Sequence, residues 1–145
     1  MKPKNVPKDC IDHSRSDPIS AADDKVEIKF SNPDAHNVEK VRVDGCAIKE
    51  GAKCDWLIVC RDLSICHFVE LKSKSNVEHG HTQLKSSISH PVIKSFIGGL
   101  KRRCWLVTSQ RHPNSPELQQ LKRHYKKDYQ SQFSYVERGA KLSLS

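Results

Sequence analysis

Cys54-Asp55-Trp56-Leu57-Ile58-Val59-Cys60 and Ile65-Cys66-His67-Phe68-Val69-Glu70-Leu71-Lys72 flank the short polar stretch Arg61-Asp62-Leu63-Ser64. Both runs are rich in β-formers and nearly continuous in apolar character, the pattern of strands covered on both faces. The stretch between them has hairpin length. If Cys60 faces Ile65, partners across the hairpin have numbers summing to 125, and Asp55 falls opposite Glu70. Side chains alternate along a strand, so Phe68, Glu70 and Lys72 share one face and Asp55 joins them from the neighbouring strand.

Working upstream, Val26, Ile28 and Phe30 alternate with Glu27 and Lys29 as in a half-buried strand, and Ser31-Asn32-Pro33-Asp34 supplies a turn. Val38 to Val43 reads as a second strand. Asp44-Gly45 then gives a tight turn before Cys46-Ala47-Ile48, so this region is expected to form an antiparallel meander. Residues 1–19, with Pro3, Pro7 and Pro18 among Lys, Asp and Ser, read as a flexible N-terminal arm.

Downstream, Ser75-Asn76-Val77-Glu78 has the spacing of a capping box and opens a helix carrying Val77, Leu84 and Ile88 on one side. Pro91 breaks or restarts it, and Gly98-Gly99 ends the helical segment. Arg103 to Thr108 reads as a strand. Ser115-Pro116-Glu117 is an N-cap with proline at the first helical position, followed by the stripe Leu118, Leu121, Tyr125 and Tyr129. Gln132 to Glu137 reads as a closing strand, and residues 139–145 as a tail. The domain proper is expected over 20–138. Its fold class is α/β, a mixed β-sheet flanked by helices.

The chain has 145 residues, 36% of them hydrophobic, enough for one domain and one modest core. No apolar run approaches the roughly 20 residues of a membrane span, and none follows Met1-Lys2-Pro3-Lys4, so the expectation is a cytoplasmic protein without membrane contact. Lys and Arg number 25 against 17 acids, a net charge of +8 that attracts polyanions. Cys10, Cys46, Cys54, Cys60, Cys66 and Cys104 include no Cys-x-x-Cys pair, so they are expected to be reduced core thiols rather than zinc ligands or disulfides.

Asp55 and Glu70 define the chemistry. Directly opposed residues hold their Cβ atoms roughly 4.5–5.5 Å apart, where two ionised carboxylates repel unless a cation lies between them. Mg²⁺ prefers oxygen ligands, is usually held by one or two carboxylates and keeps several waters. Such an ion polarises a phosphate and lowers the pKa of bound water. Lys72, two residues beyond Glu70, would stabilise charge growing on phosphorus and help orient the attacking water.

Asp55, a hairpin, then Val69-Glu70-Leu71-Lys72 resembles the Asp…Glu-x-Lys signature of the PD-(D/E)xK nuclease superfamily, with its restriction-endonuclease-like fold. The resemblance covers about residues 40–110. It implies that Asp55 and Glu70 bind Mg²⁺ or Mn²⁺, that the Leu71 carbonyl is a further ligand, and that Lys72 is the catalytic lysine. Many members carry a glutamine on the following helix, and Gln83 in His81-Thr82-Gln83-Leu84 matches it. Cys54 stands where the name of the family has proline. Relatives often add a Glu from a helix ahead of the first core strand; here Glu27, Glu39 and Asp44 lie in strands or turns, so a one-metal site is expected.

A Glu-x-Lys on a strand also arises as an exposed ion pair, but here the flanks Phe68, Val69 and Leu71 are apolar, and buried charges are rarely kept without a partner. Lys122, Arg123, Lys126 and Lys127 crowd one side of the helix after Pro116, a candidate surface for a nucleic-acid backbone or an ordinary solvated face. His79 and His81 read as solvated, and Trp56 and Trp105 as core. The expectation is a metal-dependent nuclease acting on DNA rather than RNA, alone, as a homodimer or in a larger complex. The alternative is a binding or interaction module that keeps the fold without catalysis.

Overall fold

The computed structural model describes residues 5–23, 26–51, 53–72, 77–109 and 115–145. A 3-10 turn at Lys8–Cys10 leads into β1 (Ile11–Ser14), β2 (Ile19–Ala22), β3 (Glu27–Ser31) and β4 (Val38–Arg42). The hairpin follows as β5 (Trp56–Cys60) and β6 (Ile65–Leu71). Then come α1 (Val77–Ser89), α2 (Pro91–Ile97), β7 (Lys101–Thr108), α3 (Pro116–Tyr129), β8 (Ser131–Glu137) and β9 (Lys141–Ser143). The fold is mixed α/β.

Six strands form one mixed sheet in the order β1-β4-β5-β6-β7-β8. Strands β1, β4, β5 and β6 pair antiparallel, and β6, β7 and β8 run parallel. Such parallel neighbours need a crossover, which α1 with α2 and then α3 supply. A second sheet, β2-β3-β9, covers the opposite face. The six-stranded sheet is therefore the middle of three layers, which is why every residue of β5 and β6 is buried.

Two cores result. On the helical face, Leu57, Val59, Cys66, Phe68, Cys104 and Leu106 pack against Leu84, Ile88, Ile93 and Ile97. On the other face, Ile58, Val69 and Val107 pack against Ile19, Ile28 and Phe30. Each fully buried aliphatic or aromatic side chain contributes about 1.5–3 kcal/mol of transfer free energy. Alternation places Glu70 on the helical face, with Phe68.

Local signals explain the helix ends. The His90 side chain accepts from the Val92 amide with Pro91 in the first turn, and Gly98 ends α2 at φ 55. Ser115 caps α3, accepting from the Leu118 amide. Ser75 and Asn76, the start of the expected capping box, lie outside the described residues. No helix among the described residues is long and apolar enough to cross a membrane.

Four features differ from the sequence expectations. Residues 11–14, expected in an arm, are an edge strand paired with β4 from Ile11↔Val41 to Ser14↔Val38. Backbone hydrogen bonds hold such a strand, and composition does not reveal them. The expected tail contains β9, which pairs parallel with β3, and Leu144 is buried. The upstream meander is split: β2 and β3 make a hairpin in the small sheet, while β4 belongs to the large one. Cys10 and Cys46 form a disulfide across a separation of 36 residues, contrary to the expectation of six reduced thiols. The pair is distant in sequence and is brought together by β1 lying on β4. Cys54, Cys60, Cys66 and Cys104 are free and buried as expected, and burial pushes the Cys66 thiol up to about 12.

Candidate functional site

The hairpin register runs from Cys60↔Ile65 to Trp56↔Val69, each pair summing to 125. One residue further stands Asp55, at the bend entering β5, with its amide donating to the Val69 carbonyl at 3.1 Å. The Leu71 amide donates to Asp55 Oδ2 at 2.7 Å, turning the carboxylate toward β6. Glu70 faces it closely enough for a side-chain hydrogen bond between the two carboxyl groups. Two carboxyl groups share a hydrogen bond only if one of them is protonated.

That group is Glu70. Its side chain is 1% exposed, and Oε2 is buried without a hydrogen-bond partner. Burial, the hydrogen bond that protonated Glu70 donates to Asp55 and the negative charge of Asp55 push its pKa up to about 10, with Lys72 pulling the other way. An acceptor left unpartnered at such burial is costly in a structure that satisfies nearly all its polar groups. A divalent cation relieves both costs, since it pairs the free oxygen and replaces the shared proton. The donor set fits a hard cation: two carboxylate groups, with the Leu71 carbonyl as the expected third ligand. Among the described residues no cluster of three or more His, Cys, Asp or Glu side chains converges, so water would complete the shell.

Lys72 follows β6 with its amide donating to the Val107 carbonyl at 2.9 Å. Its side chain is half-buried and its charge acts on Glu70. Gln83 on α1 donates Nε2 to the Lys53 carbonyl at 3.2 Å, close to Asp55 in the chain, while its Oε1 is buried and unpartnered. Ser87, one turn on, accepts from the Cys54 amide at 2.7 Å and donates to the Gln83 carbonyl at 2.9 Å. Helix α1 is thereby fixed to the segment that carries Asp55.

Two features were missed from sequence. His81, read as solvated, is buried and bridges Tyr125 and Tyr135 hydroxyls at 2.8 Å each, bracing α1 against α3 and β8. Asp44 lines the same groove as Asp55 and acts on Glu70, while standing 3.8 Å from Lys53 Nζ. Its place after β4 was visible in the sequence, but nothing local indicated that the β4–β5 connection returns beside β6.

The α3 cations lie elsewhere. Lys126 and Lys127 are in its last turn, before β8 begins at Ser131. Ser131 pairs with Arg102, whereas Glu70 pairs with Leu106 and Leu106 with Tyr135. At about 3.3 Å per residue, the start of β8 is roughly 13 Å along the sheet from the level of Glu70. Lys122 lines a cavity beside β8 with Lys126, and Arg123 is exposed nearby. Comparison with protein-family models, with curated proteins and with solved structures found no match.

Proposed function

We propose that the protein is a Mg²⁺- or Mn²⁺-dependent nuclease with a restriction-endonuclease-like arrangement, hydrolysing phosphodiester bonds in DNA. The observation that carries this reading is buried Glu70 set against the half-buried carboxylate of Asp55, with Lys72 beside them. Asp55, Glu70 and the Leu71 carbonyl would hold the ion, which when bound supplies charge neutralisation at phosphate and a water of lowered pKa. The Leu71 amide keeps Asp55 oriented before any ligand arrives. Lys72 offers positive charge where the phosphorane gains negative charge. Gln83 Oε1 accepts a hydrogen bond from a water or substrate group entering the site.

Cleavage of plasmid DNA in Mg²⁺ or Mn²⁺ tests this. Wild type cuts, while Glu70→Ala and Lys72→Ala lose about 100-fold or more, the scale seen when a charge-stabilising group is removed. Equal cutting by all three contradicts the assignment. A second reading, a nucleic-acid-binding module without catalysis, is favoured by the small number of ligands at the pair. It predicts binding of DNA with neither cleavage nor metal uptake.

A further inference from the structure

Beside Asp55 runs an open groove of about 460 Å³ lined by Ala22, Asp23, Arg42, Asp44, Asp55 and Trp56. Its acids are engaged: Asp55 with Glu70, Asp44 with Lys53, and Asp23 as acceptor for the Val26 amide. Arg42 is the one cation among its described lining residues. Arg42 pairs across the sheet with Trp56, the residue next to Asp55, so both lie on the small-sheet face, opposite to Glu70, and share the groove with Asp55 at the start of β5.

Arg42 has a cationic neighbour. Lys40, two positions earlier on β4, projects from the same side, and both charges lie over the Trp56 ring, Lys40 Nζ at 4.4 Å and the Arg42 guanidinium carbon at 5.0 Å. Trp56 is fixed in turn, its Nε1 donating to the Ala22 carbonyl at 3.1 Å. The contrast with the other side of β4 is informative, since Glu39 there closes a 2.6 Å ion pair with Arg61. Asp12 faces Lys40 across β1, and Asp12 and Glu27 both act on its charge, yet among the described residues neither Lys40 nor Arg42 is in an ion pair within 4 Å. The ring face attracts each cation, but two like charges on one platform repel. An anion placed between them removes that repulsion. Arginine in particular presents a fork of donors suited to phosphate oxygens.

We infer that Arg42 and Lys40, stacked on Trp56, form a phosphate clamp that holds a nucleic-acid backbone in the groove that Asp55 lines. The substrate class rests on the nuclease reading, and the clamp gives that site its grip on the strand flanking the scissile phosphate. It holds phosphates by charge and reads no base, so it confers affinity without sequence preference. The backbone then enters along β4, four strands across the sheet from β8 and the α3 cations.

The test is fluorescence anisotropy of a short labelled DNA duplex with the full chain in EDTA, titrated over a range of salt. Without metal the measurement is blind to hydrolysis, so failure of the nuclease reading and failure of the clamp are separate results. Arg42→Gln is expected to weaken binding about 10-fold at low salt and to flatten the slope of log affinity against log salt by about one, the signature of one lost phosphate contact. Arg42→Lys keeps most of that slope, and Lys94→Ala on α2 leaves both quantities unchanged. Arg42 is exposed, so both of its variants fold. Overturning results are wild-type affinity and slope in Arg42→Gln and Lys40→Gln, or equal losses toward polyglutamate or anionic vesicles, which would make the patch a general anion surface.

Discussion

Glu70 meets Asp55 across the β5–β6 hairpin within side-chain hydrogen-bonding reach, and one Glu70 oxygen, Oε2, is buried without a partner. The proton in that pair sets the energetics of the metal-free protein. With its folded pKa raised, Glu70 favours folding while the solution is acidic, and this contribution is lost as pH rises from about 4.5 toward about 10. At pH 7 the cost of keeping the proton in the folded state alone is on the order of 3 kcal/mol. Glu70→Gln cannot ionise. It should raise metal-free stability at pH 7 by about 2–3 kcal/mol in urea unfolding and have little effect at pH 4.5, while abolishing metal-dependent activity.

His67 gives the opposite pH dependence. The Trp105 Nε1 donates to His67 Nδ1 at 2.9 Å, so Nε2 carries the proton and donates to the Leu144 carbonyl at 2.8 Å. Burial, outweighing that carbonyl, lowers its pKa to about 4. The unfolded chain binds the extra proton at its ordinary 6.5, so stability falls as pH drops from 6.5 to 4, by about 3 kcal/mol. His67→Gln retains one donor and one acceptor but does not titrate. The difference in unfolding free energy between the two proteins, followed from pH 7 to pH 4, should shrink or reverse as wild type loses stability.

The Cys10–Cys46 bond closes a loop of 36 residues' separation and ties the start of β1 to the connection between β4 and β5. Loop-closure entropy assigns such a link about 4 kcal/mol. The double variant Cys10→Ser with Cys46→Ser, or reduction of wild type, should lower the unfolding free energy by about 2–4 kcal/mol, read by calorimetry.

Gly80 sits where α1 crosses β7. A Cβ there would stand 2.7 Å from Leu106 Cδ1, and Leu106 is fully buried. Alanine would gain roughly 1 kcal/mol of helix propensity, but crowding a packed core costs about 1–3 kcal/mol. Gly80→Ala should therefore be neutral to destabilising by about 2 kcal/mol, and it should reduce cleavage because α1 also carries Gln83.

What was legible in the sequence was local. The hairpin register followed from the short Arg61–Ser64 connection and two uninterrupted apolar runs, and it carried Asp55, one residue ahead of β5, to the end of β6 that holds Glu70. Ser115-Pro116 and His90-Pro91 marked helix starts for equally local reasons. The rest depended on partners far away in the chain. Ile11 pairs with Val41 and Phe30 with Leu142 through backbone groups that every residue possesses, so no residue type announced them. The Trp56 platform was read as core. It is core, at 9% exposed, but its ring also carries two cations whose convergence depends on the β4 register.

The carboxyl pair is expected to exchange its proton for a divalent cation. Calorimetric titration of Mn²⁺ into the full chain, repeated in buffers of different ionisation enthalpy, measures metal and proton together. One Mn²⁺ is expected to bind, with about one proton released near pH 7 and an affinity that rises with pH and is lost in Glu70→Gln. No heat of binding at millimolar Mn²⁺, or binding unchanged in Glu70→Gln and Asp55→Asn, would contradict it.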